Sequence, residues 1–187
     1  MAFAGNVDEL ALLQAVRLKE RVGAVVLAEH LGVSAASGQA AYDALVAQGK
    51  AAEAEGAISL TEKGLAELED QLDAERVSID EDSIGEVYEA FVPLDEEFVA
   101  LIDDADANSL AELDRRAANL FDDLSAFVPR LSRYQDLFSD ALAKVQAGES
   151  KWISEPIIDS YATVWGEIRQ ELFGAAGKGR PTACEEP

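Results

Sequence analysis

The sequence has one cysteine and one histidine, so structures that need several of either residue are excluded. Cys184 has no second cysteine for an internal disulfide, so we expect a reducing, cytoplasmic location. His30 lacks the histidine and cysteine partners of a zinc or di-iron site. In the acidic run 103–109, an EF-hand loop starting at Asp104 would place Ser109 at the required glycine. We expect neither a metal nor a cofactor.

Long apolar runs and catalytic motifs are also missing. The longest aliphatic stretch, Ala24 to Ala28, is far shorter than the roughly 20 residues of a membrane-spanning helix. Residues 1–9 lack the basic start and apolar core of a secretion signal. Glycine-rich phosphate loops, nucleophile elbows and zinc-protease helices are absent from the sequence. We expect no membrane association and no enzymatic activity.

Negative charge dominates the residues that are present. The chain has 15 Lys+Arg against 37 Asp+Glu, a net charge of −22, and such a surface repels nucleic acid and anionic membranes. An acidic junction at 78–83 separates two predicted domains, 1–76 and 77–173. Residues 174–187 have few large apolar side chains, which predicts a disordered tail.

Apolar residues at helical spacing predict three short helices in the N-terminal half. Asn6 and Glu9 have the spacing of a capping box for the first helix, which we expect to end near Arg21. Gly32 ends the second helix, and Ser34 can cap the third, which runs from about residue 35 to 48. The tight turn between the last two gives the shape of a helix-turn-helix.

A hairpin and a long helix are predicted next. Residues 50–54 and 57–60 can pair across a turn at Glu55-Gly56, although alanine and glutamate are poor strand formers. Thr61 is the expected cap of the long helix. The fold class is therefore mainly α, a winged helix-turn-helix with a two-stranded wing followed by a helical bundle.

Three segments, at 27–34, 45–49 and 58–64, resemble winged helix-turn-helix regulators of the MarR-like type. The resemblance covers about residues 6–76 and implies that the third helix enters the DNA major groove while the wing touches the backbone. If DNA is bound, the resemblance places the contacts at Ser37, Gln39, Tyr42, Lys50 and Lys63.

The charge of this region argues against DNA binding. The third helix has no lysine or arginine, and the wing carries Glu53 and Glu55. Lys50 and Lys63 are the nearby cations, whereas a protein that binds DNA stably neutralises about 6–10 phosphates. We therefore favour protein–protein contacts for this domain, with a dimeric DNA-binding regulator as the alternative.

The C-terminal half predicts a bundle of about four helices. Pro93 predicts a kink or a break in the first helix, and Ser109 with Glu112 forms a predicted capping box for the second. Pro129 ends or bends that helix, and Pro156 begins the last one. The second helix has a strict heptad stripe, made of Leu110, Leu113, Ala117, Leu120, Leu124 and Phe127. The last helix is expected to bury Ile157, Tyr161, Val164, Trp165, Ile168 and Leu172.

Residues 159–167, with Trp152 upstream, are similar to the end of short actinobacterial proteins that join a winged helix to a helical domain. Some relatives occur near or fused to proteins resembling phosphoenolpyruvate-utilising dikinases. This resemblance carries over no catalytic residue, and it implies a regulatory or accessory role.

Two arginines of the second half form a candidate anion pocket. Arg130 and Arg133 can converge on a small anionic ligand or an acidic partner, or they can pair with neighbours such as Asp136. The heptad stripe and the long helix after Thr61 are the basis for predicting a homodimer, but an intramolecular bundle explains the stripe equally well. We expect a protein partner.

Overall fold

The computed structural model describes residues 3–156 and 158–178, which are mainly helical with one small two-stranded sheet. The chain divides into two compact units, Met1–Glu75 and Arg76–Pro187. Within the described ranges, every helix is too short or too polar to cross a lipid bilayer.

The first unit contains three short helices, a hairpin and most of a longer helix. Its elements are α1 (Glu9–Lys19), α2 (Ala24–Leu31), α3 (Ala35–Ala47), β1 (Ala51–Ala54), β2 (Ala57–Leu60) and α4 (Glu62–Ser78). The core consists of buried, mostly aliphatic residues from all of these elements, with Leu12, Leu13, Leu27, Leu45 and Ile58 fully covered. The predicted helices of this half supply most of this core, whereas the apolar Val25 of α2 and Leu65 of α4 are 67% and 40% exposed.

The helix ends of the first unit are set by short polar side chains and glycine. Ser34 caps α3, and Gly32 ends α2 with φ 66°, as predicted. The predicted capping box at Asn6 is wrong, because Asp8 caps α1 and accepts a 2.8 Å hydrogen bond from the Ala11 N–H. The first helix also ends at Lys19 rather than near Arg21.

The predicted hairpin is confirmed. Strands β1 and β2 are antiparallel and pair Ala51 with Leu60 and Ala54 with Ala57. Both turn residues have positive φ, 54° at Glu55 and 75° at Gly56, which matches the right-handed twist of a two-residue hairpin. Thr61 caps α4 by accepting a hydrogen bond from the Gly64 N–H. The two-residue turn and its place after α3 predicted this hairpin, whereas the strand propensity of alanine and glutamate did not.

The second unit is helical in its described part. Its elements are α5 (Glu81–Leu101), α6 (Ala107–Phe127), α7 (Arg133–Gln146), α8 (Lys151–Ser154) and α9 (Tyr161–Ala175). Helix α5 is continuous across Pro93, so a break there is excluded. Because Pro93 is exposed, the carbonyl oxygen left without its helical donor can be hydrated.

Two helices of this unit begin at other residues than predicted. Asp106, not Ser109, caps α6; its carboxylate accepts bonds from the Asn108 and Ser109 N–H groups, and Ser109 closes the capping box. The last helix begins at Tyr161, capped by Ser160, and not near Pro156. It ends at Ala175, inside the range 174–187 that the sequence assigns to the tail. Of the predicted core and tail, Ile157 and residues 179–187 lie outside the described residues.

An aromatic cluster forms the centre of the second unit. Trp165 is fully buried and stacks on Phe98 with ring centroids 4.6 Å apart, while Phe121 stacks on Phe138 at 4.9 Å. Every residue of the α6 heptad stripe is buried except Phe127, which is 38% exposed. The stripe is thus used within one chain for most of its length.

Candidate functional site

Helix α3 presents few groups that could read a base edge. The Ser37 hydroxyl is half-buried and accepts a hydrogen bond from the Ser34 hydroxyl, and Gln39 is exposed but donates to Asp43 at 2.8 Å. Tyr42 is 5% exposed and belongs to the core of the first unit. Burial, followed by the nearby Glu53 carboxylate, raises the pKa of Tyr42. The outer face of α3 is therefore mostly alanine with one acidic residue.

Lys50 is held inside the first unit by two carboxylates. Its Nζ donates to Glu9 Oε1 at 2.5 Å and lies 3.4 Å from Glu67 Oε2, and its side chain is 11% exposed. Burial lowers the pKa of Lys50, but the hydrogen bond and charge of Glu9, helped by Glu67, outweigh burial and raise it. The ammonium is charged, and its field is largely cancelled by Glu9 and Glu67.

The remaining cations near the wing also have partners. Lys63 is exposed, and its Nζ donates to the Gln48 carbonyl oxygen at 2.7 Å. Arg21 donates to the Ala54 carbonyl oxygen at 2.9 Å and forms a 3.3 Å ion pair with Glu55 at the wing tip. These contacts support the local fold and leave the α3–wing surface acidic.

The two arginines of the predicted anion pocket contact carboxylates of the chain. Arg130 makes a bidentate pair with Glu171, both distances being 2.8 Å, and this pair is buried. The Tyr134 hydroxyl also donates to Glu171, at 3.4 Å. Arg133 pairs with Asp136 at 3.0 Å, the neighbour that the sequence spacing indicated. The anion pocket stays a prediction, and the Arg130 guanidinium is already matched by one carboxylate.

Two further carboxylates join helices of the second unit. Asp95 on α5 accepts hydrogen bonds from Trp165 Nε1 at 2.8 Å and from Arg169 Nε at 2.7 Å. Asp114 on α6 accepts a 3.0 Å bond from the buried Tyr161 hydroxyl, and burial raises the pKa of Asp114. Sequence reasoning missed both residues, because their partners lie 47 to 74 positions away and no local spacing marks them.

A groove of about 580 Å³ lies between α5 and α6. The two helices are antiparallel, because Glu97 near the end of α5 pairs with Arg116 on α6, while Ser83 and Phe127 share the other end of the groove. Its lining has five apolar and five polar residues, and comprises Ser83, Glu86, Val87, Ala90, Leu94, Arg116, Asn119, Leu120, Asp123 and Phe127. A concave surface of this size can hold a row of side chains from a partner protein or a small ligand.

The residues predicted to contact DNA are therefore spread over different environments. Gln39 and Lys63 are exposed, Ser37 is half-buried, and Tyr42 and Lys50 are buried. Their role stays a prediction, as does that of Arg130 and Arg133. No family model, curated protein or solved structure matches the chain.

Proposed function

We propose that this protein is a non-enzymatic regulatory or accessory protein whose first unit is an atypical winged helix used mainly for protein–protein contacts. A cytoplasmic homodimer is part of the proposal. The second unit is a helical bundle with internally paired polar groups, which suits a scaffold or a docking module.

Local features of the first unit support the winged-helix part of the proposal. A tight turn at Gly32 joins α2 to α3, and α3 lies against α2 at Gly38, where an added Cβ would be 2.4 Å from the Ala28 Cβ. The β1–β2 hairpin follows α3, and Val22, between α1 and α2, bridges to Ile58 of β2 through two backbone hydrogen bonds. Helix, turn, helix and hairpin in this order are what the MarR-like resemblance implies.

The observation that carries the function is the electrostatics of the α3–wing surface. Residues 34–60 contain one basic and three acidic side chains, a net charge of −2, and the basic one is Lys50, engaged by Glu9 and Glu67. Even when Lys63 and Arg21 are added, the surface has fewer cations than the about 6–10 phosphate contacts that a DNA-binding protein makes. Such a surface suits a protein partner better than a polyanion.

The alternative is a MarR-like transcriptional regulator that binds DNA as a dimer through Ser37, Gln39, Tyr42, Lys50 and Lys63. The exposed positions of Gln39 and Lys63 favour it. Two copies would double the cations, but they would also double the repulsion.

Gel-shift titration of the full chain against genomic fragments at low salt tests the alternative. We expect no shift that survives at about 150 mM salt, where screening removes weak charge contacts. Lys63→Glu is the informative variant, because Lys63 is exposed whereas Lys50 is needed by the fold. Lys151→Glu, an equal charge change in the second unit, is the control. Specific binding that is lost in Lys63→Glu and kept in Lys151→Glu would establish the DNA-binding regulator.

Co-purification of the tagged chain from its native host, followed by mass spectrometry, tests the protein contact. Ala40 is exposed on α3 and Ala66 is exposed on α4, both within the first unit. We expect Ala40→Arg to lose the partner and Ala66→Arg to retain it, because only the first substitution places a large charged side chain on the outer face of α3. Equal recovery with both variants would contradict a contact through α3.

A further inference from the structure

We propose that the groove between α5 and α6 binds a basic amphipathic helix of a partner protein. The proposal rests on the protein-contact function above and gives the chemistry of one such partner. Three observations on this groove support it: an uncovered aromatic residue, the length of the groove, and two exposed carboxylates that have no cation partner among the described residues.

The uncovered aromatic residue is Phe127. It continues the heptad stripe of α6, whose other members are buried in the bundle, yet its side chain is 38% exposed at one end of the groove. Val87 and Leu120 form part of the floor, and both are buried at their positions on the facing helices. The floor thus extends the core of the bundle to the surface, which is how a helix-binding groove is built.

The length of the groove fits a helix of about three turns. It runs along α5 from Ser83 to Leu94, and at 1.5 Å per residue these 11 steps span about 16 Å. A partner helix of that length presents apolar residues at i, i+3 or i+4, and i+7, which is the usual set of anchors for a groove between two helices.

The edges of the groove select a basic partner. Glu86 on α5 and Asp123 on α6 are exposed, and neither makes a hydrogen bond or ion pair with another described residue. Arg116, the cation in the lining, is paired with Glu97 through both terminal nitrogens. Lysine or arginine beside the apolar anchors would match the two acids. A second copy of this chain, with a net charge of −22, is a poor match for the two acidic side chains at this groove, so the proposed homodimer does not use it.

The probe is a fluorescein-labelled peptide of about 14 leucine and lysine residues, with leucine at helical spacing. Its control has the same composition with leucine and lysine alternating, so that no helical apolar face forms. Fluorescence anisotropy with the full chain at about 150 mM salt reports binding with non-specific charge attraction reduced. We expect the helical-pattern peptide to bind at least about tenfold more tightly than the alternating one.

Two matched pairs of variants locate the binding. We expect Phe127→Glu to weaken affinity about tenfold and Val99→Glu, at a 57% exposed valine of α5 outside the groove, to change it less than about twofold. Asp123→Lys should weaken binding more than Asp140→Lys, an exposed acid of α7. Circular dichroism confirms that each variant is folded.

Three outcomes would contradict the proposed binding in this groove: no binding, equal binding of the two peptides, or equal effects of the two variants in each pair. Equal effects would assign the attraction to net charge alone. The Ala40→Arg co-purification tests the first unit, so it stays interpretable whichever result this titration gives.

Discussion

Among single residues, Lys50 shows how a cation that sequence reasoning assigns to binding can be required by the fold. Its ammonium is matched by Glu9, whose side chain is 23% exposed, and by Glu67. We expect Lys50→Met to lower the free energy of unfolding by about 2 kcal/mol, because a charged hydrogen bond is lost and Glu9 keeps no cation partner among the described residues.

Urea denaturation measures this change. Lys63→Met is the control, because the exposed Lys63 loses one hydrogen bond, to the Gln48 carbonyl, and we expect a change of about 0.5 kcal/mol. Equal losses in the two variants would contradict a structural role for Lys50 beyond that of a surface lysine.

Gly64 is constrained by close approach of the backbone. A Cβ at this position would lie 2.0 Å from the Lys50 carbonyl oxygen, a backbone atom that cannot rotate away. We expect Gly64→Ala to lower the unfolding free energy by about 1–3 kcal/mol through overpacking. Gly85→Ala on α5 has no neighbour within 4 Å of its Cβ, so it should be stabilising by up to about 1 kcal/mol, as in an open helix. Thermal denaturation of both variants checks the sign, and a stable Gly64→Ala would contradict the contact.

Between elements, the second unit is held by polar pairs as well as by its aromatic core. The Tyr161 hydroxyl joins α9 to Asp114 on α6, and burial raises the pKa of this carboxyl. The folded state therefore binds the Asp114 proton more tightly than the unfolded state does. Its contribution to stability falls as the pH rises from the unfolded pKa through the folded pKa.

Asp114→Asn tests this linkage. The amide oxygen can still accept the Tyr161 hydrogen bond but carries no charge to desolvate. We expect the stability of the variant relative to the native chain to increase as the pH is raised from about 4 to about 7. Urea midpoints of both proteins at several pH values give the difference. A difference that stays constant, or that decreases with rising pH, would contradict the raised pKa.

For the whole molecule, the net charge of −22 governs the response of its stability to salt. Self-repulsion among the excess carboxylates destabilises the folded chain, and added ions screen it. We expect the urea midpoint to increase between about 10 mM and about 200 mM NaCl, where the Debye length falls below about 10 Å. A midpoint that decreases with salt would show that the ion pairs, such as Arg130–Glu171, outweigh the repulsion.

The sequence was sufficient to predict those features of the fold that depend on residues close together in the chain. Helical periodicity predicted most helices, and Gly32, Ser34 and the Glu55-Gly56 turn were assigned correctly. The start of α6 was misplaced because Asp106 and Ser109 are both capping residues. Which of two candidates three residues apart caps a helix depends on where the preceding backbone turns.

The sequence by itself determined the helical class, the hairpin, the net charge and the poverty of cations on α3, because each depends on composition or on contacts a few residues apart. Tertiary structure alone decided that Lys50 faces Glu9, that Arg130 pairs with Glu171, and that Phe127 stays exposed beside a groove. Both pairs join residues 41 positions apart, so chain packing rather than local spacing brings them together.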